Sequence, residues 1–482
     1  MNQVCVFIIG FLVFIKMGML VSGNVVFQVQ QHKFTVGNKI SLTAYKAHDS
    51  YRHRRILSAV DLPIGGDNSP ISAALYYTEI RIGTPPKSYH VQVDTGSDLL
   101  WINCGGCQLC PKKSDLGIPL SVYDPMLSTS SKIITCDQDF CAAVVNPANN
   151  DCIMGTQCSY YVRYGDDSST KGYFVRDYVQ LDRVSGNLQT ANMNGSITFG
   201  CGTRQGKGLG SSQQALDGIL GLGQSNSSII SQLAMAKKVK KTFSHCLSGS
   251  KGGIFAIGEV VHPKVNTTPI MPNDKSHYNI ELMAIEVGDE FLRLPTNLFN
   301  TASKRGAIVD SGTTLAYFPD ELYNQLLNMI LNAHPDAKLY TVDRNFTCFK
   351  YRGNVNDGFP IVTFHFANSL KLKVYPHQYL FKYQNQKWCI GFQSTRFDQP
   401  AEVKDVTLLG DIVLKDRLVT YNMEDQTIGW TEYDCSSSIQ VKDEESGMVY
   451  KVGSHDMSLA GHTRGSFFMW FWFIIVTKMV MY

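Results

Sequence analysis

The sequence has few charged residues, and neither sign of charge predominates. Only 18% of its 482 residues are Asp, Glu, Lys or Arg, and 44 basic against 41 acidic residues leave a formal net charge of +3. Apart from the short run His53-Arg54-Arg55, no block of basic residues is present. This balance argues against a nucleic-acid-binding protein. A 44% share of apolar residues permits a large core and argues against a disordered chain.

Several catalytic signatures are missing as well. The 12 histidines include no His-x-x-x-His pair backed by an acidic residue, so a zinc metalloprotease is not indicated. The glycine-rich run 206–210 lacks a following Lys and Ser or Thr, so it does not match a phosphate-binding loop. Ser97 and Ser311 have no His partner nearby in the sequence, which gives no support to a serine nucleophile.

Helical periodicity is rare, whereas strand patterns recur. Apolar residues at helical spacing predict a helix over 319–332 and a shorter one over 228–237. Residues 76–82 and 89–93 are rich in β-branched and aromatic residues, and glycines and prolines separate them. An all-β fold with a few short helices is therefore predicted. Further strands are predicted at 160–164, 173–181, 196–199, 254–257, 278–287, 307–309, 361–366, 379–383, 388–392 and 418–422.

The N-terminus is typical of a secreted protein. Residues 1–23 are mostly apolar and end in small residues, which predicts a secretory signal peptide. An uncleaved signal-anchor stays open, because the segment before the apolar run has no Lys or Arg and Lys16 interrupts that run. Residues 24–70 are polar and end in a turn-rich stretch, so they are interpreted as a removable pro-segment of a zymogen, or else as a plain extension.

The C-terminus has the layout of a signal for a glycosylphosphatidylinositol (GPI) anchor. Residues 466–482 are almost wholly apolar, and a polar spacer with small residues, 436–465, precedes them. Gly453 or Ser454 would leave a spacer of suitable length before the tail. The prediction is a GPI-anchored protein on the extracellular face of the plasma membrane. A short membrane-spanning tail is the alternative.

Cysteines and glycosylation sequons favour the same secretory route. Loss of Cys5 with the signal leaves an even number of cysteines, which favours disulfides, although spacing alone does not give their connectivity. By spacing, Cys104, Cys107 and Cys110 also allow a zinc site, which is disfavoured in an oxidising compartment. The disulfide candidates are Cys104, Cys107, Cys110, Cys136, Cys141, Cys152, Cys158, Cys201, Cys246, Cys348, Cys389 and Cys435. The sequon asparagines are Asn194, Asn226, Asn266 and Asn345.

One pattern occurs twice along the chain. Residues 90–97 (His-Val-Gln-Val-Asp-Thr-Gly-Ser) match residues 306–313 (Gly-Ala-Ile-Val-Asp-Ser-Gly-Thr). An apolar-apolar-Gly element follows each copy, at 219–221 and 408–410. Two copies in the same order predict a duplicated, two-lobed protein. The predicted lobes span 71–267 and 268–435.

The repeated pattern suits a pair of catalytic carboxylates, Asp94 and Asp310. In each copy the glycine allows close approach of the two turns, one hydroxyl can donate to the carboxylate, and the other can brace the turns. These supporting residues are Thr95, Gly96, Ser97, Ser311, Gly312 and Thr313. Two carboxylates in contact cannot both ionise, so the pair holds one proton over an acidic range. Such a pair can activate a water against a peptide carbonyl without metal, cofactor or covalent intermediate.

With these motifs, residues 73–435 resemble the pepsin-like aspartic proteases, most of all the cysteine-rich, nepenthesin-like branch of plants, which includes GPI-anchored members. The resemblance implies a bilobal fold with a cleft, and Asp94 and Asp310 as the catalytic dyad. It implies that Tyr164 is a flap tyrosine packed by Trp101, although Tyr164 by itself equally fits an ordinary strand aromatic. It also implies a cysteine-rich insertion before the flap and a disulfide between Cys348 and Cys389.

One position departs from that branch. The flap usually has Tyr-Gly-Asp-Gly-Ser, and Asp167 replaces the second glycine here. If this position needs a positive φ, an aspartate is tolerated less well than a glycine, and the flap becomes stiffer or more acidic.

The function predicted from the sequence is an aspartic endopeptidase that hydrolyses peptides or proteins at acidic pH, acting as a monomer. The alternative is a catalytically weak or inactive binding or inhibitor protein on the same fold at the cell surface, because fold does not fix function. An adhesive surface glycoprotein would account for the anchor and the sequons, but not for the duplicated motifs.

Overall fold

The computed structural model describes most of the chain between residues 57 and 457. The chain divides into two units, Met1–Arg54 and Arg55–Tyr482. In the first unit only the antiparallel pair Thr35–Val36 and Lys39–Ile40 is described, by its backbone. In the second unit the described ranges are 57–67, 69–70, 74–144, 152–250, 252–272, 274–293, 306–342, 346–384, 386–395, 407–444 and 446–457.

The second unit is built mostly from strands, which confirms the predicted all-β class. One sheet of 15 strands runs through it, and smaller sheets of three to five strands flank that sheet. The first half contributes Val60–Leu62, Ile64–Asp67, Leu75–Ile82, Lys87–Asp94, Leu100–Gln108, Lys132–Ile133, Ser159–Arg163, Ser169–Gly186, Gln189–Gly206, Gly218–Gly221, Thr242–Leu247, Gly253–Ile257 and Glu259–His262. The second half contributes Asn266–Pro269, Asn279–Ile280, Leu282–Val287, Glu290–Phe291, Ala307–Val309, Ala316–Phe318, Tyr340–Val342, Phe346–Lys350, Val362–Phe366, Lys371–Val374, Leu380–Gln384, Lys387–Ile390, Phe392–Ser394, Thr407–Leu409, Arg417–Asn422, Thr427–Glu432, Ser438–Lys442 and Val449–Gly453.

Helices are few and short. The predicted helix over 319–332 forms as Asp320–Leu331, and it buries Leu322, Leu326 and Ile330 along one face. The second predicted helix forms as Ile229–Met235, where the Ser228 hydroxyl accepts a hydrogen bond from the backbone N–H of Ser231. Among the described residues, the other α-helical segments are Asp139–Val144, Val355–Gly358, Pro376–Tyr379 and Asp411–Leu414.

The sequence repeat corresponds to a repeated strand arrangement. In the first half, Lys87–Asp94 runs parallel to Gly218–Gly221, with Gly221 opposite Asp94. In the second half, Ala307–Val309 runs parallel to Thr407–Leu409. Parallel strands are usually covered on both faces, and the three residues Ala307–Val309 are accordingly all apolar and buried, whereas Lys87–Asp94 alternates up to its buried end. In each copy the aspartate lies at the end of a strand or directly after it.

Strands from the two halves also pair with each other. Thr242–Leu247 is antiparallel to Arg417–Asn422 within the large sheet. The rings of Phe243 and Tyr421 stack across this pair with centroids 4.6 Å apart, and both side chains are fully buried. Backbone pairing and aromatic packing therefore fix the two halves relative to each other close to the aspartate turns.

The folded unit begins earlier than the sequence analysis placed it. Val60–Leu62 lies between Gly253–Ile257 and Ser169–Gly186 in the large sheet, and Ile64–Asp67 pairs with the strand that begins at Leu75. These residues had been assigned to the removable segment 24–70, but the structure places 57–67 within the sheet. The alternation of buried Val60, Leu62 and Ile64 is short and contains Pro63, which is why it resembles a turn.

The folded unit also continues past the predicted lobe end at residue 435. Ser438–Lys442 and Val449–Gly453 form a hairpin that pairs with Glu259–His262, although 436–465 had been predicted as a polar spacer. The first strand alternates buried Ile439 and Val441 with polar residues, a pattern too short to be detected. Beyond it, His455 Nε2 lies 2.9 Å from Asp61 Oδ1, so the hairpin contacts the N-terminal strand as well.

The predicted lipid-attachment residues lie inside this hairpin. Gly453 pairs with Ser438, and the Ser454 N–H donates to the Ser437 carbonyl at 3.1 Å. Attachment at either residue would remove His455 and its contact with Asp61. The structure therefore argues against Gly453 and Ser454 as attachment residues. Within the described residues no helix is long and apolar enough to cross a membrane, and the tail 466–482 lies outside them, as does the signal 1–23.

Substitution of Ile439 by Ala is expected to lower the free energy of unfolding by about 2–4 kcal/mol, because it leaves a cavity under the hairpin. Ile439 is fully buried among Val184, Ile254 and Val452. Met448→Ala is the matched control, since Met448 is 56% exposed on the same hairpin. Urea unfolding of both variants measures the difference, and equal stability of the two would show that the hairpin does not pack as a part of the core.

The structure supports the disulfide prediction, whereas N-glycosylation at the sequons stays a prediction. All twelve candidate cysteines are paired, and the pair Cys348–Cys389 agrees with the expectation from the resemblance. The side chains of Asn194, Asn226 and Asn266 are exposed, and Asn345 lies outside the described residues. The other disulfides are Cys104–Cys201, Cys107–Cys110, Cys136–Cys152, Cys141–Cys158 and Cys246–Cys435.

Candidate active site

The two repeated turns bring Asp94 and Asp310 together. Each aspartate ends or directly follows a buried strand, and both side chains are largely inaccessible to solvent. In each turn the backbone N–H two residues further on donates to the carboxylate: Gly96 N lies 2.8 Å from Asp94 Oδ1, and Gly312 N lies 2.8 Å from Asp310 Oδ1. The two halves therefore hold their carboxylates in the same way.

The second oxygen of each carboxylate accepts a side-chain hydroxyl. Ser97 Oγ donates to Asp94 Oδ2 at 2.5 Å, and Thr313 Oγ1 donates to Asp310 Oδ2 at 2.6 Å. Hydrogen bonds to an ionised carboxylate are stronger than those between neutral groups. These hydrogen bonds orient both carboxylates and partly compensate the cost of burying their charge. Among the described residues, no Lys or Arg forms an ion pair with either carboxylate.

Thr95 and Ser311 tie the two turns to each other. The Ser311 N–H donates to Thr95 Oγ1 at 2.9 Å, and the Thr95 N–H donates to Ser311 Oγ at 3.3 Å. Each hydroxyl then donates to a carbonyl of the opposite strand, Thr95 Oγ1 to Val309 O and Ser311 Oγ to Val93 O. This reciprocal set of four hydrogen bonds fixes the separation of the aspartates.

Glycine is required beside each aspartate because the opposite carboxylate occupies the space of a side chain. A Cβ at Gly96 would lie 2.5 Å from Asp310 Oδ1, and one at Gly312 would lie 2.1 Å from Asp94 Oδ1. The same Cβ position at Gly312 lies 3.1 Å from Asp310 Oδ1, so the two carboxyl groups lie beside each other in the site. This proximity allows them to share a proton.

Burial and the neighbouring charge raise the pKa of Asp94. Desolvation is the largest cause and the charge of Asp310 the next, and they outweigh the hydrogen bonds from Ser97 and Gly96, so the pKa of Asp94 rises to about 7. The direction is the one expected for a carboxyl that must ionise in a buried place beside a second carboxylate. One proton is consequently retained by the pair well above the usual range of an aspartate.

Sequence analysis missed a third carboxyl close to this pair. Asp411 directly follows the second apolar-apolar-Gly element, its N–H donates to the Thr313 carbonyl, and its side chain is buried. Burial first, and then the charges of Asp310 and Asp94, raise its pKa well above the usual value. Its position directly after Gly410, the glycine of the second apolar-apolar-Gly element, was the feature of the sequence that could have identified it.

A hairpin covers the aspartates from the first half. Ser159–Arg163 pairs with the beginning of Ser169–Gly186, and residues 164–168 form the turn, where the Tyr164 N–H donates to the Ser168 carbonyl. Trp101 Nε1 donates to Tyr164 Oη at 2.6 Å. The pKa of Tyr164 is raised by burial and by the charge of Asp94, while its hydroxyl also bonds Ser97. The structure thus brings Tyr164, Trp101 and the Asp94 turn together.

The unusual residue of this turn, Asp167, has a positive φ of 65°. Its carboxylate pairs with the guanidinium of Arg163 and lies 2.7 Å from Lys207 Nζ. The hydrogen bond from Lys207, followed by that from Arg163, lowers the pKa of Asp167. Asp167 therefore links the turn to the end of the strand Gln189–Gly206, a contact that a glycine at this position would not make.

We predict that Asp167→Gly changes the turnover rate by about two- to fivefold, because it relaxes a strained φ but frees the flap from an exposed ion pair. Lys207→Gln is the matched control, since it removes one ion pair and keeps Asp167 at its φ. Steady-state kinetics of both variants separate kcat from KM. Unchanged kcat and KM in Asp167→Gly would show that the turn does not control access.

A cavity of about 960 Å³ lies against the covering hairpin. Ser97, Asp98 and Leu99, which follow Asp94 along the chain, line it together with Tyr161 and Lys171 of the hairpin. Val144 and Cys152 of the disulfide-linked insertion also face it. Asp94 and Asp310 are not among its lining residues, so the cavity adjoins the aspartates through Ser97, and its walls are partly apolar and partly polar.

A metal site is not supported by the cysteine-rich insertion. The sulfurs of Cys136, Cys141 and Cys152 lie within 4.8 Å of one another. Each of these sulfurs is in a disulfide, so none offers a thiolate ligand. The same holds for Cys104, Cys107 and Cys110, for which zinc had been the alternative.

Comparisons with known proteins agree with this geometry. The chain matches the family models "Xylanase inhibitor N-terminal" over residues 76–259 and "Xylanase inhibitor C-terminal" over residues 277–432. It is 48% identical to Aspartic proteinase 36 of Arabidopsis thaliana, covering 92% of this chain and 91% of that protein. It is 45% identical to Aspartic proteinase 39 of the same plant, covering 95% and 94%. Aspartic proteinase nepenthesin-2 of Nepenthes gracilis is 26% identical, covering 80% and 84%.

Solved structures share the fold at low identity. The crystal structure of edgp superposes with a TM-score of 0.62 at 18% identity and covers 78% of this chain and 95% of that one. Conglutin gamma, described as a basic 7S globulin from lupine seeds, gives a TM-score of 0.61 at 18% identity and covers 78% and 96%. At this identity the likeness concerns the fold alone.

Proposed function

The chain belongs to the pepsin-like aspartic proteinases of plants, and on that premise we propose that it is an aspartic endopeptidase in which Asp94 and Asp310 share one proton and activate a water. The observation that carries the proposal is the contact between these two buried carboxyls, each held by a backbone N–H and a hydroxyl. A peptide or protein is the proposed substrate, and the cleft beside Ser97 is its binding groove.

The proposed mechanism uses only groups of this chain and one water. The ionised member of the pair accepts a proton from the water, and the protonated member donates a hydrogen bond to the substrate carbonyl. As the water oxygen attacks, the protonated member transfers its proton to the carbonyl oxygen, which gives a neutral tetrahedral gem-diol and leaves the pair with the one proton taken from the water. That proton passes to the leaving amine as the C–N bond breaks, while a gem-diol hydroxyl gives its proton to the pair, which ends singly protonated.

The flap has a role in this scheme through Tyr164. Its hydroxyl bonds Trp101 and Ser97, so it connects the covering hairpin to the hydroxyl that holds Asp94. A peptide in the groove would lie between this hairpin and the aspartates. Closure of the hairpin would exclude bulk water and strengthen the electrostatic interactions of the pair.

Activity is expected to fall as pH rises through about 7, because the raised pKa of Asp94 marks the loss of the shared proton. The raised pKa also makes the stability of the fold depend on pH.

The contribution of Asp94 to the free energy of unfolding is fully present below its unfolded-state pKa, and it is lost as pH rises through its folded-state pKa of about 7. The dependence of kcat/KM on pH for a peptide without ionisable side chains measures the first effect. A descending limb centred below about pH 5 would contradict the shared proton.

The direct test of the function is peptide cleavage at roughly pH 3–6, with and without the aspartic-protease inhibitor pepstatin. Purified mature protein is incubated with a peptide mixture, and new termini are identified by mass spectrometry. Cleavage that pepstatin blocks supports an endopeptidase. Binding of peptides without cleavage would favour the alternative, an inactive binding or inhibitor protein, to which the family description "Xylanase inhibitor" points.

The proposed location is the extracellular face of the plasma membrane, through a GPI lipid. Because Met457 still packs against the folded unit, beside Leu75 and Tyr77, the proposed attachment moves to the next small residue, Ser458, which keeps most of the remaining polar spacer before the apolar tail. Release of the protein from intact membranes by phosphatidylinositol-specific phospholipase C, followed by sequencing of both termini, tests the lipid and fixes the ends of the mature chain. Resistance to the phospholipase would favour a spanning tail.

A further inference from the structure

A charged loop from the second half lies beside the dyad. In the loop before the strand Asn279–Ile280, His277 Nδ1 is 3.4 Å from Asp274 Oδ1. The backbone N–H groups of Ser276 and His277 donate to the same oxygen, each at 3.0 Å. The carboxylate of Asp274 is therefore fixed by the turn, and it in turn orients the imidazole ring.

Contacts from the first half fix this loop in place. Gln224, which follows the strand Gly218–Gly221, donates through Nε2 to the carbonyls of His277 at 2.6 Å and Asp274 at 3.4 Å. Lys241 Nζ donates to the Gln224 carbonyl at 3.2 Å. The described residues of the loop thus contact both halves of the protein.

The loop lies beside the cavity at Ser97. Gln224, which donates to the His277 carbonyl, is followed by Ser225, and Ser225 and Asp98 both line that cavity. Asp98 directly follows the dyad hydroxyl Ser97 and accepts the Ser225 N–H at 2.9 Å. The His277 side chain is 41% exposed, and among the described residues its Nε2 has no hydrogen-bond partner. A ring whose Nδ1 faces Asp274 thus leaves Nε2–H as a donor near the edge of the cavity.

The region around His277 becomes more positive as the pH falls. Hydrogen bonding to Asp274 raises the pKa of His277, and burial raises that of Asp98, so acidification charges the histidine and neutralises the aspartate. The charged groups around His277 are Asp274, Asp98 and Asp310, and Lys241 adds a positive charge near Asp98. Asp274 is already engaged by the loop, so Nε2–H remains the donor offered to a substrate.

We propose, resting on the proposed endopeptidase function, that His277 is a substrate-binding residue whose Nε2–H binds an acidic side chain of the peptide next to the scissile bond. Glutamate or aspartate at one subsite is favoured over its amide in the acidic range. The preference declines with rising pH as His277 loses its proton. A purely structural His277, which only pins Asp274, would give no such preference.

The test uses paired peptides that carry a single Glu or Gln at each position around one cleavage site. The wild type is expected to show a Glu/Gln ratio of kcat/KM of about three to five at one position at about pH 5.5, where the peptide glutamate is largely ionised and His277 is protonated, as for a partly exposed charge-assisted contact. His277→Gln should bring the ratio to about one, whereas His277→Arg should keep it.

His365→Gln is the matched control, because His365 also contacts a carboxylate, at 2.7 Å from Glu286, but belongs to the strand Val362–Phe366 away from the loop. It should leave the ratio at its wild-type value. A wild-type ratio of one at every position, or an unchanged ratio in His277→Gln, would overturn the proposal. Both outcomes leave the endopeptidase function intact, since all variants still cleave.

The proposal stays testable if no peptide is cleaved. Fluorescence anisotropy of the same Glu and Gln peptides with Asp94→Asn protein measures binding alone. Tighter binding of the Glu peptide, lost in Asp94→Asn/His277→Gln, would support the His277 contact although the endopeptidase proposal had failed. Equal binding of both peptides would overturn it.

Discussion

Replacement of Asp94 by Asn should reduce kcat/KM for a peptide by about 10³-fold or more, since it removes one of the two groups that move protons in the reaction. The uncharged amide cannot hold the shared proton. It also removes one of the two carboxyls whose mutual repulsion keeps that proton in the site. The partners remain available, because Gly96 N–H can still donate to the amide oxygen and the Ser97 hydroxyl can accept from the amide NH₂. The loss should therefore appear in kcat rather than in folding.

Asp177→Asn is the control for this variant. Asp177 is also buried and accepts two hydroxyls, from Tyr123 at 2.7 Å and from Ser130 at 2.6 Å, but it lies in the strand Ser169–Gly186 and not at the dyad. Thermal unfolding checks that both variants are folded. If Asp94→Asn cleaves peptides at the wild-type rate, the dyad is not the catalytic group.

Gly312→Ala is expected to lower kcat by about 100-fold or more and to destabilise the fold by about 1–3 kcal/mol. The added Cβ would lie 2.1 Å from Asp94 Oδ1 and 3.1 Å from Asp310 Oδ1, far inside van der Waals contact. Asp94 cannot easily move away, because Gly96 N–H and the Ser97 hydroxyl hold it. The two carboxyls must then separate, and their common proton is lost.

Gly105→Ala makes the same chemical change where there is room, since the nearest atom to an added Cβ there, in Asp124, is 3.9 Å away. Its activity and stability should stay near wild type. Kinetics and urea unfolding of both alanine variants provide the comparison. A fully active Gly312→Ala would mean that the turns do not approach as closely as the structure has them.

The dyad and its supporting residues could be predicted from the sequence because they lie within a few positions of one another in each half. Each half encodes an apolar strand, an aspartate, a glycine and a hydroxyl within a few positions, and the duplication of this pattern implies two turns that face each other. Asp411 and His277 were missed for the opposite reason. Their roles depend on packing between distant segments, since Asp411 acts on the dyad through space and His277 is placed by Gln224 of the other half.

The fold class followed from strand patterns, but both ends of the folded unit did not. Val60–Leu62 and Ser438–Lys442 are three- and five-residue strands whose stability comes from partners far along the chain, at 255–257 and 259–262. Propensity within so short a window carries little information. Spacing could not give the disulfide connectivity for a similar reason: Cys246–Cys435 joins residues 189 positions apart, and only the folded sheet brings them together.

The shared proton itself is measured most directly by infrared difference spectroscopy between the wild type and each single variant, Asp94→Asn and Asp310→Asn. The carboxylic C=O band of a protonated aspartate should appear in both differences at about pH 6, well above the usual pKa of an aspartate, and disappear as pH rises through about 7. Both differences should contain it, because either substitution dissolves the pair. Absence of that band at about pH 6, or its persistence in either variant, would contradict a dyad that holds one proton between two carboxylates.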